Sequence, residues 1–147
     1  IFVPESKMTK YENEQFYQTS KFLWPITGRI TSFFGTRKDP FNKVYSYHSG
    51  IDIKGEFGTL VKPAKDGTVS FTGNDDIYGN NIIIKHSDGY STRYGHLQEI
   101  LVKKGNYVTR GTNIGKVGST GRSTGSHLHF EIRKNGKLSD PLKFLND

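Results

Sequence analysis

Along most of this chain apolar and polar residues alternate at every second position, and no long stretch carries apolar residues at helical spacing. A period of two is the signature of strands with one buried face. Residues 28–34 set Ile30, Ser32 and Phe34 against Arg29, Thr31 and Phe33 and predict a strand ended by Gly35. Residues 36–47 read as an aromatic-rich loop, marked by Asp39-Pro40, that leads into the first histidine; Tyr45 and Tyr47 on it are candidates for substrate contact or plain packing. The stretch His48-Ser49-Gly50-Ile51-Asp52 reads as extended, with His48, Gly50 and Asp52 on one face and Ile51 and Ile53 on the other. Residues 80–85 and 90–96 predict a hairpin turning on Ser87-Asp88-Gly89, whose return strand puts Tyr90, Thr92, Tyr94 and His96 on one face. His127, His129 and Glu131 alternate with Leu128, Phe130 and Ile132, and Lys134-Asn135-Gly136-Lys137 is a hairpin turn.

Residues 100–121 place Val102, Val108, Ile114 and Val117 among Gly105, Gly111, Gly115 and Gly118, a run of very short strands. Residues 58–73 faintly echo this pattern, which fits two similar halves. The expectation is an all-β domain, a small barrel-like sandwich of short antiparallel strands, over residues 22–147. Residues 1–21 mix charge, Gln and aromatics without alternation and read as a short N-terminal arm or helix, or part of a linker.

The length of 147 residues suits one domain with a short appendage. A net charge of +7 invites an anionic partner, but the lysines and arginines are scattered, with no dense basic run. That distribution argues against nucleic acid, which needs clustered phosphate neutralisation; anionic cell-wall or membrane-surface polymers serve the charge equally well. With no cysteine there is neither a disulfide framework nor a thiolate metal site. No stretch is long and apolar enough to span a membrane, and no signal peptide is visible. The first residue is Ile1 rather than methionine, which suggests a processed product.

Imidazole and carboxylate together suit zinc, whose catalytic sites take three protein ligands and a water. His48, Asp52 and one member of the His127/His129 pair supply that set, leaving the other member and His96 free for proton transfer. The reaction class this suggests is amide hydrolysis. Glu131 faces the histidines and is a candidate to orient one of them, while His86 lacks a partner at characteristic spacing and reads as structural. Gly121-Arg122-Ser123-Thr124-Gly125 matches a serine-hydrolase elbow in letters, but a histidine-bearing strand follows where a helix would be needed.

His48-Ser49-Gly50-Ile51-Asp52, Tyr94-Gly95-His96-Leu97 and the run from Gly121 through His127-Leu128-His129-Phe130-Glu131 together resemble the M23 zinc peptidases, the lysostaphin and LytM-like endopeptidases of bacterial peptidoglycan. The resemblance implies a duplicated-hybrid-motif β fold, one Zn2+ per chain held by His48, Asp52 and His129, and His96 and His127 as the two histidines flanking the metal water. It further implies cleavage of peptidoglycan cross-links, of D,D type, in a periplasmic or otherwise extracytoplasmic setting, with regulatory or anchoring domains upstream. The alternative within the family is a non-catalytic wall-binding or amidase-activating module.

Overall fold

The computed structural model describes residues 22–38, 42–123 and 125–145. The arm or helix expected within residues 1–21 lies outside them. The chain forms β1 (Ile30–Ser32), β2 (Gly35–Lys38), β3 (Tyr45–His48), β4 (Ile51–Lys54), β5 (Leu60–Val61), β6 (Gly67–Asp75), β7 (Gly79–Lys85), β8 (Tyr90–Ile100), β9 (Tyr107–Val108), β10 (Gly115–Val117), β11 (His127–Lys134) and β12 (Lys137–Ser139). Single 3₁₀ turns at Ser87–Gly89 and Pro141–Lys143 are the only helical elements among the described residues. The fold is therefore all-β and its ladders are antiparallel, as the alternation predicts.

Ten strands make one sheet in the order β1-β4-β11-β8-β7-β6-β9, with β10 bridging β8 and β5 and β12 beside β11. The path runs from β1 to β9 without returning, so the sheet is open and the barrel expected from the sequence is not closed. The two glycine-rich segments pair reciprocally: β5 of the first with β10 of the second, and β9 of the second with β6 of the first. That exchange is the form the weak internal echo takes.

The core lies under the centre of this sheet. Ile51 and Ile53 of β4, Ile82 and Ile84 of β7, Tyr94 of β8, and Leu128, Phe130 and Ile132 of β11 are fully buried. Each such side chain contributes about 1.5–3 kcal/mol by leaving water. The register that seats them all is thereby fixed, and it aligns His129 of β11 opposite Asp52 of β4. Where β11 turns into β12, Asn135 and Gly136 both take positive φ (50° and 80°), the twist a two-residue hairpin requires.

Three further expectations are corrected. Residues 36–47 are not a loop: β2 and β3 form a separate two-stranded hairpin, because Gly35 at φ 106° turns the chain into a new strand instead of ending one. The His48–Asp52 stretch is not one continuous strand, since a bend at Ser49 and Gly50 separates β3 from β4. Gly50 is obligatory there, as a Cβ would sit 2.2 Å from the Phe130 carbonyl oxygen. Third, Tyr94 and His96 do not share a face. Residues 95 and 96 of β8 stand against the single residue Asn81 of β7, a bulge that shifts the alternation by one.

Candidate metal centre

Asp52 stands where three imidazoles converge. Its Oδ1 lies 3.0 Å from His129 Nδ1, 3.4 Å from His48 Nε2 and 3.6 Å from His127 Nε2. The donor atoms of His48, Asp52 and His129 lie within 4.8 Å of one another. Ligands about 2.0–2.1 Å from a tetrahedral ion stand roughly 3.3 Å apart, so this trio has the spacing of a metal-binding set.

Each imidazole is pinned through one ring nitrogen, which leaves the other for the cleft. His48 Nδ1 faces the Phe33 carbonyl oxygen at 3.0 Å and His127 Nδ1 that of Gly125 at 2.9 Å. His96 Nδ1 faces the Thr120 carbonyl oxygen at 2.6 Å, and His129 Nε2 faces Glu131 Oε2 at 2.8 Å. Each of these partners only accepts, so the pinned nitrogen carries a proton; the second nitrogen of His48 and of His129 faces the Asp52 carboxylate, to which it donates when protonated, and once deprotonated it offers a lone pair. His48 and His127 thus present Nε2, and His129 presents Nδ1 to Asp52. Outer hydrogen bonds of this kind are what hold a metal-ligating histidine in place.

Backbone geometry aims the fourth ring. Ordinary alternation would send His96 toward the core beside Tyr94; the bulge re-aims it, with His96 at φ 61° in the left-handed region rarely taken by residues other than glycine. Its amide is held by the Tyr78 carbonyl oxygen at 2.6 Å, and its ring packs against those of His127 and His129, at centroid distances of 4.9 and 5.9 Å.

The charges are tuned by these contacts. Burial alone would raise the Asp52 pKa, but hydrogen bonds from His129 and His48 hold it well below the usual carboxylate range. Glu131, fully buried, is likewise opposed by burial yet drawn down to about 2 by hydrogen bonds from His129 and from Ser49, whose Oγ donates at 2.6 Å. His129 is raised in spite of its burial because both carboxylates bond to it. Burial lowers His96, and the repulsion an imidazolium there would meet from His127 and His129 acts in the same direction, against the Thr120 carbonyl.

The five residues line a cleft of about 410 Å³ together with Tyr47, Ser49, Ile77, Tyr78 and Arg122. Tyr47 thus reaches the cleft, whereas Tyr45 is not among its lining residues. His86 stands apart, bonded to the Asp66 carbonyl oxygen and to Thr92. Ser123 of the elbow-like motif donates to the Gly125 carbonyl oxygen, and a strand, not a helix, follows it. Ile77, Tyr78 and Arg122 were not singled out from sequence: they come from turns, where no alternation marks which side chain faces a site. Asp75 shapes one of these turns, its Oδ1 accepting from the amides of Ile77 (2.9 Å) and Tyr78 (2.7 Å).

An open antiparallel sheet that gathers one carboxylate and four imidazoles into a cleft defines a β protein with a candidate metal centre. The chain belongs to peptidase family M23, whose sequence profile matches residues 46–141. It is 45% identical over 114 residues to the DD-carboxypeptidase/endopeptidase Mpg of Neisseria meningitidis, covering 78% of this chain and 26% of that protein. It is 39% identical over 127 residues to the murein hydrolase activator NlpD of Escherichia coli, covering 86% of this chain and 31% of that one. A crystal structure of a zinc-containing peptidase from Vibrio cholerae superposes with a TM-score of 0.77 at 39% identity, over 82% of this chain and 39% of that one. The chain therefore spans about a quarter to a third of the curated relatives' length.

Proposed function

We propose that this domain is a zinc-dependent endopeptidase that opens peptide cross-links of bacterial peptidoglycan, of D,D type, outside the cytoplasm. The observation that carries the reading is the convergence of Asp52 Oδ1, His48 Nε2 and His129 Nδ1 at ligand spacing, with two further imidazoles facing the same cleft. Nitrogen and carboxylate donors without sulfur suit zinc, and His48, Asp52 and His129 would hold it. When bound, zinc supplies a Lewis acid that polarises an amide and acidifies water.

This chain's own residues do the rest. His127 carries its proton on Nδ1 against Gly125, so its Nε2 is the basic atom that accepts a proton in the cleft and returns it to the departing amine. His96, kept neutral by burial and pinned by Thr120, places a second Nε2 on the cleft side. Tyr47 and Ile77 wall the substrate's path.

The kinship with murein hydrolase activators supports a second reading, a module that binds the wall and activates another enzyme. A pure binder has no chemical need for two spare imidazoles beside a full ligand trio, which favours the enzyme. Digestion of purified peptidoglycan, with muropeptides read by mass, separates the two. The zinc-loaded wild type is expected to reduce cross-linked dimers. His129→Ala is expected to lose both metal and activity, and His127→Ala to keep metal while activity falls about 10²-fold or more. An unchanged muropeptide profile with the zinc-loaded wild type would favour the binding-module reading over the hydrolase.

A further inference from the structure

We propose that Arg122 is the specificity-determining residue of this cleft and pairs with a free carboxylate that flanks the scissile amide of the substrate. This rests on the hydrolase reading above and names the substrate class more narrowly: peptides carrying an unmodified carboxylate beside the bond to be cut.

Among the described residues that line the cleft, Arg122 is the one lysine or arginine. Its side chain is exposed, and it makes no ion pair or side-chain hydrogen bond with any described residue. Other cleft groups are already engaged: Asp52 with histidines, Ser49 with Glu131, and the ring of Tyr78 with the Arg93 guanidinium 4.2 Å from its centroid. A guanidinium offers a planar fork of donors that fits a carboxylate in two parallel hydrogen bonds.

The backbone beneath Arg122 is built to keep it there. Its amide donates to the Ile77 carbonyl oxygen at 3.2 Å. The preceding Gly121 has φ 72°, and a Cβ on it would meet Gly79 N at 2.3 Å; Gly79, at φ 64°, would itself meet Thr120 at 2.4 Å. Two turns from distant parts of the chain are thus pressed backbone to backbone. Thr120 is also the residue that pins His96, while its Oγ1 donates to the Leu97 carbonyl oxygen at 2.8 Å. The turn that carries Arg122 also supplies the carbonyl that orients His96, and it is braced against the turn at Tyr78 and Gly79. A carboxylate gripped by Arg122 is therefore bound beside the histidines of the site.

The test uses three synthetic peptides that differ only at two carboxylates near the scissile amide. One keeps both free, one is amidated at the C-terminal carboxylate following the bond, and one is amidated at the side-chain carboxylate of the residue preceding it. With the zinc-loaded wild type, one amidation is expected to raise KM about 10- to 100-fold, the range of a charge-assisted pair, while kcat moves less than about threefold. Which amidation has the effect identifies the carboxylate recognised. In Arg122→Gln the ratio between the free and amidated peptides is expected to collapse to about 1, with Arg122→Lys intermediate. A wild type indifferent to both amidations overturns the proposal, as does an Arg122→Gln that weakens all three peptides equally. Calorimetric binding of the same peptides to chelator-treated protein reads the same ratio without turnover. Discrimination in binding without any cleavage would refute the hydrolase reading and leave Arg122 its role. Cleavage without discrimination would do the reverse.

Discussion

At the scale of single residues, the site depends as much on what stands behind the histidines as on the histidines. Glu131 is the clearest case. It has no exposure, one oxygen bonds to His129 and Ser49, and the other lies 3.9 and 3.5 Å from the guanidinium groups of Arg93 and Arg133. Its charge holds the proton on His129 Nε2 and thereby frees Nδ1. Glu131→Gln removes that charge at constant shape and is expected to weaken zinc binding about 10- to 100-fold, measured by competition with a chromophoric chelator. The same residue gives the metal-free protein an acid dependence. Because its folded pKa, about 2, lies below the ordinary 4.5, its stabilisation is complete above about pH 4.5 and disappears as pH falls through about 2. The gap in Tm between wild type and Glu131→Gln should accordingly narrow between pH 5 and pH 2; a gap that is constant with pH would exclude the carboxylate as its source.

The strands and turns show why some of this was legible in the sequence and some was not. β11 was legible because Leu128, Phe130 and Ile132 demand the core and so send His127, His129 and Glu131 to the other face. The Asn135-Gly136 turn was legible because few residues tolerate its backbone. His96 was placed in the cleft for the wrong reason. Alternation assigned it the face of Tyr94, yet Tyr94 is buried in the core, and a bulge that no residue pattern announces brings His96 round. The β2–β3 hairpin was hidden because its residues are mostly exposed and carry no buried periodicity. Nor could spacing distinguish His127 from His129; in the structure His129 lies nearer Asp52, at 3.0 Å against 3.6 Å. Turns that reach the cleft have their own local logic. Asp75→Ala removes two acceptor contacts to the amides of Ile77 and Tyr78 and is expected to cost about 1 kcal/mol and to speed hydrogen exchange at those two amides, leaving β11 protected.

Across the whole molecule, a buried chain of hydrogen bonds ties the sheet to the glycine-rich segment on its flank. The Ala64 amide donates to the Tyr94 hydroxyl at 2.9 Å; that hydroxyl lies 2.7 Å from Thr92 Oγ1, which lies 2.8 Å from His86 Nε2. His86 Nδ1 closes the chain on the Asp66 carbonyl oxygen at 2.8 Å. Each group donates once in the same direction, which leaves His86 neutral, and burial lowers its pKa accordingly. Tyr94→Phe strands the Ala64 amide without its acceptor and should destabilise the fold by about 1–3 kcal/mol in urea titration. The ladder between β4 and β11 has a reach beyond stability. Slip those two strands by a single rung and Asp52 would turn inward among the isoleucines while His129 faced an empty partner. His48 and Asp52 stand far from His129 in the sequence, so on the proposed reading their three donors would meet around an ion only in a chain that has zipped correctly. Uptake of metal would then double as an inspection of the finished sheet, and a misaligned copy would stay empty.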